Sequence, residues 1–283
     1  FVDEMNFTFL YVKKRRLFSI GYNVDKAQLD AGTYDLLASE ARIASYIAIS
    51  KGDIPVEHWF RLSRRLTSLS SNEILLSWGG TMFEYLMPLL FMRNYPDTLL
   101  DHTGHNVIRW QQEYGNKRER PWGYSESAYY FLNIDMHYQY RAFGAPGLGL
   151  KRGLAEEYVV APYASMLSLM IAPEPSMNNL MSLEELGGLG PLGFYDAIDF
   201  TSSHIGKNET FRVVKTYMAH HQGMSLLAME NLMNNWKIQD YFHSDLRIKG
   251  SELILQEKVP RGVPIKEPHP IDAELEPGEQ ATM

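Results

Sequence analysis

Residues 34–52 read YDLLASEARIASYIAISKG. At 100° per residue, Leu36, Leu37, Ile43, Ala44 and Ile47 fall on one stripe, which predicts an amphipathic helix with Thr33 as its N-cap and Gly52 as its stop. Glu40 falls at the centre of that stripe. A bare carboxylate on an apolar face is costly to bury, so Glu40 must be paired, protonated or turned toward a polar cavity. A structural ion pair and a catalytic carboxylate both meet that demand.

Outward from this segment the chain reads as mainly α. Further helical patterns lie at about 56–65, 81–93, 97–115, 155–171, 176–186, 209–235 and 238–257, with a strand-like ILLSWGG at 74–80. Before it, FTFLYVKKRRLFSIGYNV at 7–24 predicts a β-hairpin whose tip is the basic run Lys13 to Arg16. Residues 263–283 are rich in Pro and Glu and read as a linker or tail after a domain spanning 1–262. The chain opens on Phe1, which suggests a piece of a longer polypeptide.

The second informative stretch is PWGYSESAYY at 121–130. It sets Glu126 between two serines among large aromatics, just after a Pro-Gly turn. Two carboxylates in unlike settings, Glu40 and Glu126, are the equipment of glycosidic-bond chemistry if they converge on one cleft. Aromatic side chains would stack on the apolar faces of sugar rings, and Trp78, Trp122, Tyr124 and Tyr129 are the candidates. The competing explanation for each is ordinary packing. A third stretch, YMAHHQGMSLLAMENL at 217–232, carries His220, His221 and Gln222. Adjacent histidines point to different helix faces and are poor joint ligands, so no metal is expected there. Hydrogen bonding to substrate or to a catalytic carboxylate fits them better.

Composition narrows the classes. With 27 Lys and Arg against 34 Asp and Glu, the net charge is −7, and scattered basic residues argue against a nucleic-acid partner. No cysteine is present, so disulfides and thiolate metal sites are excluded. No apolar run is long enough to span a bilayer.

Six blocks carry a resemblance: residues 34–64, 75–90, 121–129, 143–165, 193–200 and 217–232 together resemble the glycoamylase-like region of cyclic β-1,2-glucan synthases. The resemblance covers roughly residues 1–262. It implies an (α/α)6 toroid that cleaves linear β-1,2-glucan and rejoins it into a ring by anomer-retaining transglycosylation, with no cofactor. It also implies neighbouring glycosyltransferase and phosphorylase-like domains in a large membrane protein, on the cytoplasmic side of the bacterial inner membrane. The catalytic acids map onto Glu40 and Glu126. Tyr34, Asp35, Arg42, Trp78, Glu84, Trp122, Tyr124, Ser125, Tyr129, Asp196, His220, His221 and Gln222 are the expected substrate contacts. On its apolar stripe Glu40 should have a raised pKa and act as acid/base; Glu126, beside the Ser125 and Ser127 hydroxyls, should be the nucleophile. A full toroid needs twelve helices and the pattern predicts about eight, so the chain could hold the C-terminal part of the barrel. An inverting endo-β-1,2-glucanase and a non-catalytic glycan-binding module are the alternatives.

Overall fold

The computed structural model describes residues 3–260; the tail expected from residue 263 lies outside them. The fold is mainly helical, 38% helix against 18% strand, with small sheets. Nine α-helices occur among the described residues: α1 Arg42–Ser50, α2 Glu57–Arg61, α3 Met82–Leu86, α4 Leu99–Asn116, α5 Pro162–Ser168, α6 Pro173–Glu185, α7 Ala219–Met233, α8 Lys237–His243 and α9 Leu246–Gly250. The expected N-terminal hairpin is present as Tyr11–Val12 paired with Leu17–Phe18. One large core, with Tyr46, Trp59, Leu75, Met82 and Leu86 at its centre, runs through the helices.

The helix expected over 34–50 starts only at Arg42. Upstream, Leu37 N–H donates to the Ser63 carbonyl at 3.1 Å and Ser63 N–H to the Asp35 carbonyl at 2.6 Å, so this backbone is committed to an extended pairing. Leu36 and Leu37 are still buried, although not as part of a helical stripe. The N-terminal part of the pattern at 209–235 is likewise a strand, Arg212–Val214, which with Ala197–Asp199 and Val159–Val160 makes a three-stranded sheet. The strand-like 74–80 segment contributes only its start, in Asn72–Leu75 paired with Leu66–Leu69.

A hairpin that the sequence did not announce positions the second acid. Glu126–Leu132 pairs antiparallel with Tyr138–Ala142. The free edge of its first strand is capped by carboxylates: Ala128 N–H donates to Asp196 at 2.7 Å and Tyr130 N–H to Asp199 at 2.9 Å. An unpaired strand edge is thereby satisfied without another strand.

The C-terminal helices close back on the beginning of the fold. The Tyr46 hydroxyl of α1 donates to the Ile248 carbonyl of α9 at 2.8 Å, and Arg64 pairs with Glu257 at 2.9 Å.

Candidate active site

Three loops bring the site together. In the first, Glu40 sits just ahead of α1, half-buried, and accepts a hydrogen bond from the Ser39 hydroxyl at 3.1 Å. Arg42, expected to contact substrate, is instead buried and donates to the carbonyls of Ser39 (3.0 Å), Glu84 (2.8 Å) and Tyr85 (2.6 Å). Its planar fork ties the Glu40 loop to α3, and burial pulls the guanidinium down to about 10.

The second loop is Ser77–Thr81. Glu84 lies buried at its centre and accepts from the backbone N–H groups of Trp78 (3.0 Å), Gly79 (2.8 Å) and Thr81 (2.9 Å), and from the Ser77 and Thr81 hydroxyls at 2.9 Å each. With Thr81 it forms the capping box of α3. Its acceptor capacity is spent on the loop, so Glu84 holds the shape of the site. The result is Trp78 held out at the surface, 64% exposed. Beneath it the 143–150 segment packs so closely that a Cβ on Gly144 would lie 1.7 Å from the Gly79 carbonyl oxygen. Only glycine permits that approach.

The third loop is 121–125. Asn179 clamps Trp122 through both backbone groups, accepting from its N–H at 3.0 Å and donating to its carbonyl at 2.7 Å. Gln111 does the same for Tyr124, at 2.7 and 3.1 Å. Between them Gly123 has φ +123°, with its Cβ direction facing the Ala161 carbonyl. The loop is therefore fixed at both ends, and it delivers Glu126 as the first residue of its strand.

Glu40, Glu84, Glu126, Trp78, Tyr34 and Asp35 line one cleft of about 320 Å³. Glu126 is the carboxyl pushed up, to about 7, by burial first and then by the charges of Glu40 and Glu84; Tyr140 and Lys151 oppose the shift. Glu40 precedes the helix, so it does not stand on the helical stripe expected for it. Tyr34 feels both acids: burial and then the charges of Glu40 and Glu126 push its phenol up. Asp35 is exposed at the rim. A separate cavity of about 910 Å³ lies behind the 121–125 loop against Arg118, Arg120 and Trp122, and is lined by neither catalytic candidate.

Several expected substrate contacts prove to be packing. Trp122 and Tyr124 are buried in the main core, Tyr124 against Tyr114 and Tyr158. Tyr129 is buried in a second cluster against Phe143. Ser125 and Ser127 are buried too. Successive side chains of a strand point to opposite faces, so hydroxyls flanking Glu126 turn away from its carboxylate. Ser125 bonds instead to Tyr163, at 2.6 Å between the hydroxyl oxygens.

The histidine pair does not diverge as expected. His220 and His221 stand in the first turn of α7, and both Nε2 atoms approach the Tyr140 hydroxyl, at 3.4 and 3.3 Å. His221 is buried, stacked on Tyr163 at 3.8 Å between ring centroids, with Nδ1 2.6 Å from Asp196. Asp196 and His221 are buried and, with Gln222, line a second cavity of about 320 Å³, where Gln222 donates to the Phe194 carbonyl at 3.0 Å. Tyr140, which sequence reasoning missed, joins this cluster to Glu126. Ala128 pairs with Tyr140 and Glu126 with Ala142, so Tyr140 lies diagonally across from Glu126 on one face of the hairpin. The alternation in HYQYRA at 137–142 was the available signal.

An acid pair in a cleft with a projecting tryptophan is the equipment of a carbohydrate-active enzyme of the glycoside hydrolase type. The family model for Glycoamylase, described as "Putative glucoamylase", matches residues 33–245, and the chain belongs to that family. It is 46% identical over 262 residues to the cyclic β-(1,2)-glucan synthase NdvB of Rhizobium meliloti (strain 1021), a match that covers 93% of this chain and 9% of NdvB. Among solved structures, the endo-β-1,2-glucanase of Chitinophaga pinensis, in complex with sophorotriose and glucose, shares the fold at TM-score 0.66 and 17% identity, over 90% of this chain and 62% of that one. The β-1,2-glucanase of Parabacteroides distasonis matches at TM-score 0.65 and 15% identity, over 90% of this chain and 40% of that one. Among the described residues no helix is long and apolar enough to cross a membrane.

Proposed function

We propose that this domain breaks β-1,2-glucosidic bonds within a glucan chain, using Glu40 and Glu126. The observation that carries the proposal is the meeting of these two carboxyls in one cleft beside the exposed Trp78. Glu126 is the nucleophile: it stands on a clamped strand, and Tyr140 and Lys151 favour its anion. Glu40 is the acid/base, which can pass a proton to a leaving oxygen and take one from an acceptor. The C–O bond to the leaving sugar breaks as the Glu126 carboxylate bonds the anomeric carbon, and the Glu40 proton goes to the leaving oxygen. Trp78 and Tyr34 bind the sugar rings at the mouth. An inverting course, with water attacking directly, is the form in which the same cleft acts as an endo-β-1,2-glucanase.

A second reading is favoured by the 46% identity to NdvB: the acceptor is a hydroxyl at the non-reducing end of the same chain, and the product is a ring. On that reading the domain sits between glycosyltransferase and phosphorylase-like parts of a larger synthase, at the cytoplasmic side of the inner membrane. Its helices belong to an (α/α)6 toroid, residues 1–262 form the domain and 263–283 a linker. The test is product analysis with linear β-1,2-glucan. Shorter reducing chains support hydrolysis and rings support cyclisation. Binding without any turnover would overturn both and leave a glycan-holding module.

A further inference from the structure

We propose that the turn between α7 and α8 holds a second carbohydrate-binding site, with Trp236 as its platform and a glucosyl unit of β-1,2-glucan as its ligand. The identity of the sugar rests on the functional reading above.

Asn235 and Trp236 both have left-handed backbone, at φ +53° and +63°. Asparagine adopts that region readily, whereas a bulky aromatic there is an outlier that its surroundings must impose. Buried Asn231 imposes it. Its carbonyl accepts from Trp236 N–H at 2.8 Å, its side-chain oxygen accepts from Ile238 N–H at 3.1 Å, and its side-chain nitrogen donates to the Leu90 carbonyl at 3.0 Å. Yet the residue held in this way is not packed into the core. Trp236 is 36% exposed and lines a cavity of about 400 Å³, within the roughly 300–1,000 Å³ usual for small-molecule sites. A strained backbone that keeps a large ring at the mouth of a cavity is the pattern of a ligand clamp.

The charges around the cavity select a neutral ligand. Arg93 lines it, and its guanidinium is already taken by Asp240 at 2.9 Å and Glu252 at 3.2 Å. An anion would meet a compensated charge, and a cation would have to displace the arginine from Asp240. What remains is the Trp236 ring, an apolar floor of Met170 and Ile171, and a rim of Asn94, Asn235 and His105. An aromatic face for C–H groups, ringed by amides and an imidazole for hydroxyls, is the chemistry that recognises a sugar. The site is separate from the catalytic cleft. α7 leads to this turn from His220, beside Tyr140 of the Glu126 hairpin, and its 15 residues span about 22 Å. One sugar unit cannot touch both places, but a long glucan can. Holding a distant stretch of the chain raises the effective concentration of the rest at the cleft.

The test follows the indole N–H signals of the five tryptophans by NMR while sophorotriose is added to Glu126→Gln. The Trp236 signal is assigned by its absence from Trp236→Gly and, independently, from Trp236→Tyr. Glycine suits a left-handed backbone, so Trp236→Gly should keep or raise the melting temperature. The Trp236 signal should shift and saturate, with a midpoint different from that of Trp78. In turnover of long linear β-1,2-glucan, Trp236→Gly should raise KM about tenfold with kcat unchanged. It should leave KM for short β-1,2-oligosaccharides as it was, and Trp236→Tyr should recover most of the loss on long chains. A Trp236 signal unmoved by sophorotriose while Trp78 shifts, or one that moves with inorganic phosphate and not with sugar, would overturn the site and leave the catalytic reading standing. Signals unmoved at both tryptophans would overturn both. A Trp236 signal that shifts in a protein whose wild type leaves β-1,2-glucan intact would keep the site and sink the catalytic reading.

Discussion

Glu126 is a half-buried carboxyl with its proton held up to about 7 against an ordinary 4.5, and that single shift makes two opposite demands. For stability, a folded-state pKa above the unfolded one gives a contribution present below about 4.5 and lost as pH rises through about 7. Glu126→Gln should therefore stabilise the protein at pH 8 and not at pH 4, by ~1–2 kcal/mol after allowance for solvent screening; thermal melts of both proteins at the two pH values measure it. For activity, a nucleophile must be ionised, so kcat/KM should rise with pH through about 7. A rate that instead falls through that range would assign Glu126 as the proton donor and exchange the two roles. In Glu40→Gln a substrate with a good leaving group should recover its first step, and in Glu126→Gln it should not. At the mouth, Trp78→Ala should raise KM about tenfold with no change in melting temperature, since the ring is largely exposed and its stacking is worth about 1.4 kcal/mol.

At the scale of elements, the site is a matter of clamps. Arg42 holds the Glu40 loop through three carbonyls, so Arg42→Met should cost about 3 kcal/mol, leaving those carbonyls buried and unpaired. Denaturant unfolding measures that loss. Trp122→Ala should cost about 3–5 kcal/mol as a core deletion, and because Trp122 is also the anchor of the 121–125 loop, turnover per folded molecule should fall as well. What could be read from sequence follows the same division. The two acids were visible because a carboxylate among apolar or aromatic neighbours is anomalous in any fold, and Trp78 because a large aromatic can stack on a sugar ring. Whether Trp122, Tyr124 and Tyr129 face a ligand or a core was not legible, since both settings select the same residues. The helix over 34–50 was overextended because the pairing of Asp35 and Leu37 with Ser63 is long-range, and periodicity carries no information about such partners. Tyr140 was missed for a related reason: its importance depends on the register of a hairpin, which places it diagonally from Glu126.

At the scale of the molecule, the cleft depends on segments far apart in the chain. Residues 246–257 lie beyond the family match, yet Ile248 and Leu255 are buried and Glu257 pairs with Arg64. A chain ending at Asp245 should lose at least ~3 kcal/mol, from two buried aliphatic side chains alone, and calorimetry should show a lower and broader transition. The central claim is that this assembled cleft cuts β-1,2-glucan through Glu40 and Glu126. The most direct measurement incubates linear β-1,2-glucan with the wild-type protein, Glu40→Gln and Glu126→Gln, and follows chain length, reducing ends and rings by mass spectrometry. The account predicts shortened or cyclised glucan from the wild type and unchanged glucan from both folded variants. Turnover by either variant at the wild-type rate, or a wild-type protein that leaves β-1,2-glucan intact while cutting another glucan, would contradict it.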